Sequence, residues 1–350
     1  MAVVDGARSS AVGAAVTPPV GSGLPVYGLT SNPFLHGELD PLARPQDLPC
    51  ISLVDGWGDL TTAVELIGRR VAVEEPVYFV VEGASQTGRS SVANYLVYLW
   101  AKESGVGDGS NREVLVERRD QGPNRGTYAP EFQIFDWISQ LRVRAVKSHL
   151  VLSPTAENRL SVLSPSPASG ANFALALNAV ETDLRRGQEG KELLLAAIFE
   201  RGKGKDLLRM VQDSFDATRA IVVITVDATE DARDVLDDIE KVLSPDRGWL
   251  LKLGPVRGVD VRTIITDRWN HYRPDIPCPF DVAGAAEAFE NNPRPIARTV
   301  KLLSGMLEMR QVNFAGDEPW PVTQRLFLDA KAMRDMLEFF DRNMNLGGPA

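Results

Sequence analysis

The segment Gly83 to Ser90 (GASQTGRS) has the residue types and spacing of a phosphate-binding loop. It fits the pattern G-x-x-x-x-G-K-[ST] at every specified position except one, where Arg89 replaces the lysine. Small residues let backbone N–H groups converge on a phosphate, and a helix that begins directly after the loop adds its partial positive charge. The segment therefore predicts a site for nucleotide phosphates, and the alternative is a glycine-rich turn without a ligand.

The expected contacts to ATP or ADP extend through the first turn of the following helix. The Ser90 hydroxyl is a candidate ligand for Mg²⁺. The planar guanidinium of arginine can donate paired hydrogen bonds to phosphate oxygens, whereas the ammonium of lysine is a compact charge that reaches between the β- and γ-phosphates. Arg89 therefore favours nucleotide binding over fast hydrolysis. The predicted contact residues are Gly83, Ala84, Ser85, Gln86, Thr87, Gly88, Arg89, Ser90 and Ser91.

A carboxylate is needed near such a loop, because the Mg²⁺ shell is held from the end of a neighbouring strand. Asp227 ends the apolar run AIVVITV and is the predicted metal-binding and catalytic residue. Glu230 lies one turn further on and is a second candidate for catalysis. The alternative for Asp227 is a helix N-cap at the end of a buried strand.

Two polar groups further along the chain could also reach the γ-phosphate or the attacking water. Thr266 and Asp267 stand at the end of a predicted strand, Val259 to Thr266, although such residues often only terminate a strand. Arg294 opens a predicted helix, from which it either folds back over the phosphates or is a solvated arginine in the first turn.

Two arginines after the predicted Val259–Thr266 strand, Arg268 and Arg273, are candidates for an arginine finger that meets a neighbouring subunit's nucleotide.

The elements that must position these residues alternate between strand and helix, which predicts a mainly parallel sheet covered on both faces. The strand patterns lie at 76–81, 113–118, 220–227 and 259–266, and the helical patterns at 59–70, 91–102, 130–147, 173–186, 190–215 and 230–242. Three helical patterns follow, at 281–290, 294–310 and 323–343. The predicted organisation is a flexible arm at 1–26, an α/β domain at 27–279 and a helical lid with C-terminal helices at 280–350. The Ser- and Pro-rich segment 151–172 is predicted to be an insertion or long loop.

The net charge and the amino-acid composition limit which functions are possible. The net charge of -9 argues against a surface dominated by nucleic-acid binding, so nucleic acid is permitted but not indicated. No apolar run is long enough to span a bilayer and the start lacks a signal-peptide pattern, so we expect a cytoplasmic protein without membrane contact. The two cysteines and three widely spaced histidines suggest neither a disulfide nor a zinc site. The basic groups that could contact DNA are Arg118, Arg119 and Arg125, and Arg142, Arg144 and Lys147.

The segment Tyr27 to Phe34 (YGLTSNPF) resembles the opening of AAA ATPases of the general-secretion and transposition-regulator type. As in that family, a helix, a hydrophobic strand and the phosphate-binding loop follow it in order, and the likeness spans residues 27–310. The resemblance implies an AAA+ P-loop NTPase, a three-layer α/β/α domain with a helical lid. It also implies that Pro33 and Phe34 line the adenine, with packing of Phe34 on the core as the alternative.

The departures from the family define the expected activity. Arg89 makes the Walker A motif degenerate, and Ala228 stands where the family carries its catalytic glutamate. We therefore expect an ATP-binding switch or assembly ATPase that acts with further copies of itself or other protein subunits, with slow or absent hydrolysis. The alternative is a catalytically degenerate AAA+ scaffold in a multiprotein, DNA-associated system.

Overall fold

The computed structural model describes residues 23–34, 37–107, 109–120, 129–147, 150–166, 169–187, 191–200, 204–228 and 239–344. Most of the predicted N-terminal arm, Arg125 and Glu230 lie outside these ranges. So does most of the helix predicted at 230–242, of which residues 239–242 are helical.

Five parallel strands form one sheet with the order β2-β3-β4-β1-β5. β1, which precedes the candidate loop, lies between β4 and β5. Its apolar run is continuous because both faces of the sheet are covered by helices. The strands are β1 (Val77–Gly83), β2 (Arg112–Asp120), β3 (Glu192–Glu200), β4 (Ala220–Asp227) and β5 (Gly248–Leu253).

The helices complete the predicted three-layer α/β/α arrangement, and the fold class is confirmed. One core lies between the sheet and α1, α2 and the C-terminal helices, and contains Trp57, Trp100 and Leu303. The other lies between the opposite face and α3, α5 and α6. The helices are α1 (Leu60–Ala72), α2 (Arg89–Glu103), α3 (Pro130–Lys147), α4 (Pro154–Ser161), α5 (Gly170–Arg186), α6 (Gly204–Phe215), α7 (Gly258–Tyr272), α8 (Val282–Glu290), α9 (Ile296–Val312) and α10 (Ala330–Met344). None of these described helices has the length and apolarity to cross a membrane.

The helix predicted at 190–215 is wrong in its first half, where β3 lies in the sheet between β2 and β4. The run ELLLAAIFE contains leucine and alanine, which favour helices locally, but residues 194–199 are all buried. A position inside the sheet overrides that propensity. The short strand β5, which forms the edge of the sheet beside β1, was not predicted.

The strand predicted over Val259–Thr266 is also wrong, because these residues belong to α7. Val261, Ile264, Ile265 and Trp269 are buried along one side, the spacing of a helix that packs through one face. The β-branched residues of this run had suggested a strand, but their burial follows the period of a helix.

The segment 151–172 contains α4 and the start of α5, not a long loop. Leu152, Ala156 and Leu160 are buried in the second core. Ser153 caps α4 by accepting a hydrogen bond of 3.3 Å from the Ala156 N–H, and Pro154 is its first residue. Serine before proline is a helix-start signal that the Ser- and Pro-rich composition obscured.

Candidate functional site

The candidate loop joins the carboxyl end of β1 to α2. Gly88 has a φ of 91°, and no side chain caps the α2 N-terminus that follows it. The Thr87 hydroxyl donates to the Ala84 carbonyl over 2.8 Å and braces the loop from within. The first N–H groups of a helix have no intrahelical acceptor, so this uncapped end presents donors and partial positive charge. A helix end of this kind is able to bind an anion.

The Arg89 side chain forms an ion pair with Asp227 at the end of β4. The strand register explains the pairing, since Gly83 of β1 lies opposite Asp227. The Ala228 N–H also donates to the Gly83 carbonyl over 3.1 Å. Arg89 Nη1 is buried and has no hydrogen-bond partner among the described residues, so only part of the guanidinium is satisfied by Asp227. A phosphate oxygen is a suitable acceptor for the remaining donor.

A second carboxylate, Glu200, ends the neighbouring strand β3 and was missed by sequence reasoning. Phe199 lies opposite Ile224, which places Glu200 level with Thr225 of β4. Because side chains alternate along a strand, Glu200 shares the α2 face with Asp227. An acidic residue ending the apolar run ELLLAAIF was the available signal, but the run had been assigned to a helix.

Glu200 takes part in a polar network at this edge of the sheet. Arg118 of β2 donates to Glu200 over 3.0 Å and also pairs with Glu38. Asn94 of α2 accepts a hydrogen bond from Arg118 and donates to Glu38 over 2.8 Å. The network ties the N-terminal segment to the sheet and to α2, and it sets a cation beside Glu200.

The two serines of the loop differ in their surroundings. Ser91 is buried, and its hydroxyl accepts a hydrogen bond of 3.0 Å from the Leu39 N–H. Ser90 is half-buried. The Ser91 hydroxyl is therefore already bonded to the N-terminal segment, and the Ser90 hydroxyl is better placed to bind a metal ion.

The N-terminal box packs on the core. Phe34 is 1% exposed and makes an edge-to-face contact with Phe280, with ring centroids 5.7 Å apart. The Pro33 carbonyl accepts a hydrogen bond of 3.3 Å from Arg268. Phe34 thus has the core position that was the alternative interpretation, and the contact of Pro33 and Phe34 with adenine stays a prediction.

The C-terminal helices touch the loop through the start of α9. The Ala297 N–H donates to the Gln86 carbonyl over 3.1 Å. A Cβ atom placed on Gly88 would lie 3.2 Å from Ile296 Cγ2 and 3.2 Å from Trp57 Nε1. Ile296 and Trp57 therefore both lie close to Gly88. Sequence reasoning did not identify Trp57, since a lone tryptophan in a loop carries no spacing signal.

Arg294 is 5% exposed and forms two parallel hydrogen bonds with Asp341 of α10, of 2.6 and 2.5 Å. Arg298 adds a third contact to Asp341, of 3.2 Å. Hydrogen bonding and charge from Arg294, followed by Arg298, lower the pKa of Asp341 below its ordinary value. The Arg294 guanidinium is therefore engaged with α10 in this structure, and its predicted contact with phosphate remains a prediction.

The polar residues predicted around the end of a fourth strand lie on helix α7 instead. Thr266 and Asp267 are exposed there, so the position that suggested Thr266 as a catalytic residue does not exist. Arg268 is buried and donates to the Cys50 carbonyl over 2.9 Å, while Arg273 pairs with Asp275 over 3.0 Å. Arg268 points inward and cannot reach another subunit as an arginine finger.

The described residues contain no group of three His, Cys, Asp or Glu side chains arranged to hold a metal ion. A Mg²⁺ ion that accompanies a nucleotide usually takes one or two carboxylates, phosphate oxygens and water. The donor set of Ser90 and Asp227 fits that requirement. The uncapped α2 terminus and Arg89 fit the phosphates.

Comparison by sequence matches no protein family and no curated protein. By structure, the chain is similar to the ORC2 protein of Aeropyrum pernix in its ADPNP–ADP complexes, with a TM-score of 0.52 and 12% identity over 91% of this chain and 74% of that chain. The ADP form of that protein gives 0.47 and 12%, over 87% and 71%. Drosophila ORC bound to DNA gives 0.44 and 10%, over 96% and 70%. The first likeness supports the three-layer α/β/α fold, and at this identity it concerns the fold alone.

Proposed function

We propose that this chain binds ATP with Mg²⁺ at Gly83–Ser91 and acts as a nucleotide-dependent switch or assembly ATPase with slow or absent hydrolysis. The observation that carries the proposal is the uncapped N-terminus of α2 directly behind β1, with Arg89 beside it. The similar ORC2 protein was solved with ADPNP and ADP, which supports a nucleotide as the ligand class. The cytoplasmic location is part of the same proposal.

The Arg89–Asp227 ion pair sets the order in which contacts form when a nucleotide binds. Arg89 must exchange Asp227 for phosphate oxygens, and this exchange releases the Asp227 carboxylate. Asp227 and the Ser90 hydroxyl would then be the residues that hold a Mg²⁺ ion, which would supply neutralisation of the phosphate charge. Binding of phosphate and binding of metal are thus coupled through one ion pair.

Glu200 is the carboxylate we assign to orientation of the attacking water. Its hydrogen bond to Arg118 holds the carboxylate in place at the end of β3. Arg89 in place of lysine agrees with slow turnover.

The switch lies in the contact between the loop and α9. A ligand that moves the Gln86 carbonyl or Gly88 acts directly on Ala297 and Ile296 at the start of that helix. Any difference in affinity for two positions of the C-terminal helices shifts their equilibrium. Assembly with further copies or other proteins would follow if those positions expose different surfaces.

The alternative is a catalytically degenerate scaffold. The observation that favours it is the Arg89–Asp227 pair itself, because the cation of the loop is neutralised without a ligand. A DNA-binding role receives less support. Among the described arginines that suggested it, Arg118 and Arg119 pair with Glu38 and Asp136, and Arg142 and Arg144 pair with Glu157 and Glu117.

Three measurements on the full chain test the proposal. Titration calorimetry with ATP and ADP, with and without Mg²⁺, should show saturable binding that Mg²⁺ strengthens. Phosphate release should be slow and should fall further in Glu200→Gln, while mass photometry should detect larger assemblies with ATP than with ADP. No affinity for either nucleotide would sink the proposal, and fast turnover that Asp227→Ala abolishes would remove the scaffold alternative.

A further inference from the structure

Trp57 presents a buried hydrogen-bond donor at the loop. The side chain is 2% exposed, and its Nε1 has no hydrogen-bond acceptor among the described residues. Nε1 lies 3.2 Å from the place where a Cβ of Gly88 would be, so the polar edge of the indole faces the loop. Tryptophan can only donate from this atom. A buried N–H without an acceptor destabilises the folded protein, so the position of this donor calls for an explanation beyond packing.

The backbone around Trp57 holds the indole in place. The Asp55 N–H donates to Asp260 of α7 over 2.7 Å, and the Gly254 N–H donates to the Gly56 carbonyl over 2.7 Å. Gly56 also lies close to the backbone of Pro255. A Cβ atom placed on Gly56 would lie 3.3 Å from the Pro255 carbonyl oxygen. The turn that carries Trp57 is thus fixed between the end of β5 and α7. A donor held this firmly is preorganised for an acceptor that arrives with a ligand.

We propose that Trp57 is a ligand-binding residue whose Nε1–H donates to a phosphate oxygen of the nucleotide held at Gly83–Ser91. The inference rests on the proposed nucleotide site. Three sources of donors then lie at the loop, namely the α2 N-terminus, Arg89 Nη1 and Trp57 Nε1, and in the part of the chain that the structure describes the latter two are buried atoms without partners. Phosphate oxygens accept several hydrogen bonds at once and carry the charge that strengthens each of them.

The test compares the affinities of wild type and Trp57→Phe for ADP and for inorganic pyrophosphate. Phenylalanine keeps an aromatic ring but removes the N–H. Since a hydrogen bond to a charged acceptor contributes about 1.5–3 kcal/mol, both ligands should bind roughly tenfold to a hundredfold more weakly. A loss confined to ADP would overturn the phosphate assignment, because the acceptor would then lie on the base or ribose.

Trp269→Phe is the matched control. Trp269 is buried in the same core, but its indole N–H already donates to the Ile276 carbonyl over 2.8 Å. Trp269→Phe should lower the thermal stability of the nucleotide-free protein and leave ADP affinity unchanged. Trp57→Phe should show the opposite pattern, weaker ADP binding with little loss of nucleotide-free stability. If Trp57→Phe behaves like Trp269→Phe, Trp57 is a packing residue and the proposal fails.

A measurement on the wild-type protein covers the case in which Trp57→Phe does not fold. The ¹H–¹⁵N spectrum contains one indole signal for each of Trp57, Trp100, Trp137, Trp249, Trp269 and Trp320. The Trp57 signal, assigned by elimination with Phe variants of the others if necessary, should move downfield with ADP and with pyrophosphate. An unmoved signal in a protein that binds ADP overturns the Trp57 inference alone, whereas absence of ADP binding overturns the nucleotide site as well.

Discussion

Arg89 and Arg294 were both predicted to contact the nucleotide, and in the structure each is paired with an aspartate. Arg89 is 15% exposed at its side chain and pairs with Asp227, which is 46% exposed. Arg294 is 6% exposed and binds both carboxylate oxygens of Asp341, which is 31% exposed. Each guanidinium has one nitrogen without a partner among the described residues, so the two pairs differ in exposure and in the bidentate geometry of the second.

The difference indicates two roles. An ion pair at the surface contributes about 0–1 kcal/mol, so a competing anion can separate it at little cost. A buried bidentate pair is expensive to break, because the remaining charge is left without compensation. We infer that Arg89 is available to a ligand, and that Arg294 joins the start of α9 to α10 as part of the fold.

The largest expected effect is on stability, from Arg294→Ala. Of its two arginine partners Asp341 would keep Arg298, and since Asp341 is partly exposed the free energy of unfolding should fall by about 2–3 kcal/mol. The midpoint of denaturant unfolding measures this, with Arg298→Ala as the control that should cost less. Unchanged stability together with a large loss of ATP affinity would reverse the comparison and make Arg294 a phosphate ligand.

Arg89→Ala should act on binding instead. Loss of a charge-assisted contact to phosphate of about 2 kcal/mol would weaken ATP binding roughly thirtyfold, while unfolding changes by less than about 0.5 kcal/mol. Calorimetry and the unfolding midpoint measure the two quantities. Arg89→Lys keeps the charge and should recover most of the affinity. Equal ATP affinity in all three proteins would show that Arg89 does not contact the ligand.

The pH dependence of stability sharpens the role of the buried pair. The pKa of Asp341 is lower in the folded protein than in the unfolded chain, because Arg294 and Arg298 favour the carboxylate. Its contribution is therefore fully present above the unfolded-state pKa of about 3.9 and is lost as the pH falls through the folded-state value. Wild type should exceed Asp341→Asn in unfolding free energy at pH 6, and the gap should shrink below about pH 4. A gap independent of pH would contradict a charged Asp341.

The smallest effect concerns the open pair. Asp227→Asn removes the carboxylate that competes with phosphate for Arg89, so ATP affinity without Mg²⁺ should rise about two- to fivefold. With Mg²⁺ the gain should disappear, because Asp227 is also a proposed metal ligand. Calorimetry in EDTA and in excess Mg²⁺ separates the two conditions. Tighter binding under both would remove Asp227 from the metal site.

Sequence reasoning located the loop, since β1, α2 and β4 have strong local patterns and the glycine spacing is specific. It missed β3, and with it Glu200, because a run of leucine and alanine cannot be divided between helix and buried strand by periodicity alone. It predicted that Arg294 opens a helix, whereas α9 begins two residues later at Ile296, and it could not predict Asp341, which lies 47 residues after Arg294 on α10. Such pairs depend on how helices pack, as does the approach of Trp57 to Gly88.

The hydrogen bond from Ala297 to Gln86 has a kinetic consequence. Ala297 is an exposed residue in the first turn of α9, where an amide has no acceptor within its own helix. Its protection from exchange with deuterated solvent therefore depends on the Gln86 carbonyl of the loop. The hydrogen-exchange rate of the Ala297 amide therefore reports how often the loop and α9 separate, and it measures the strength of the coupling between them.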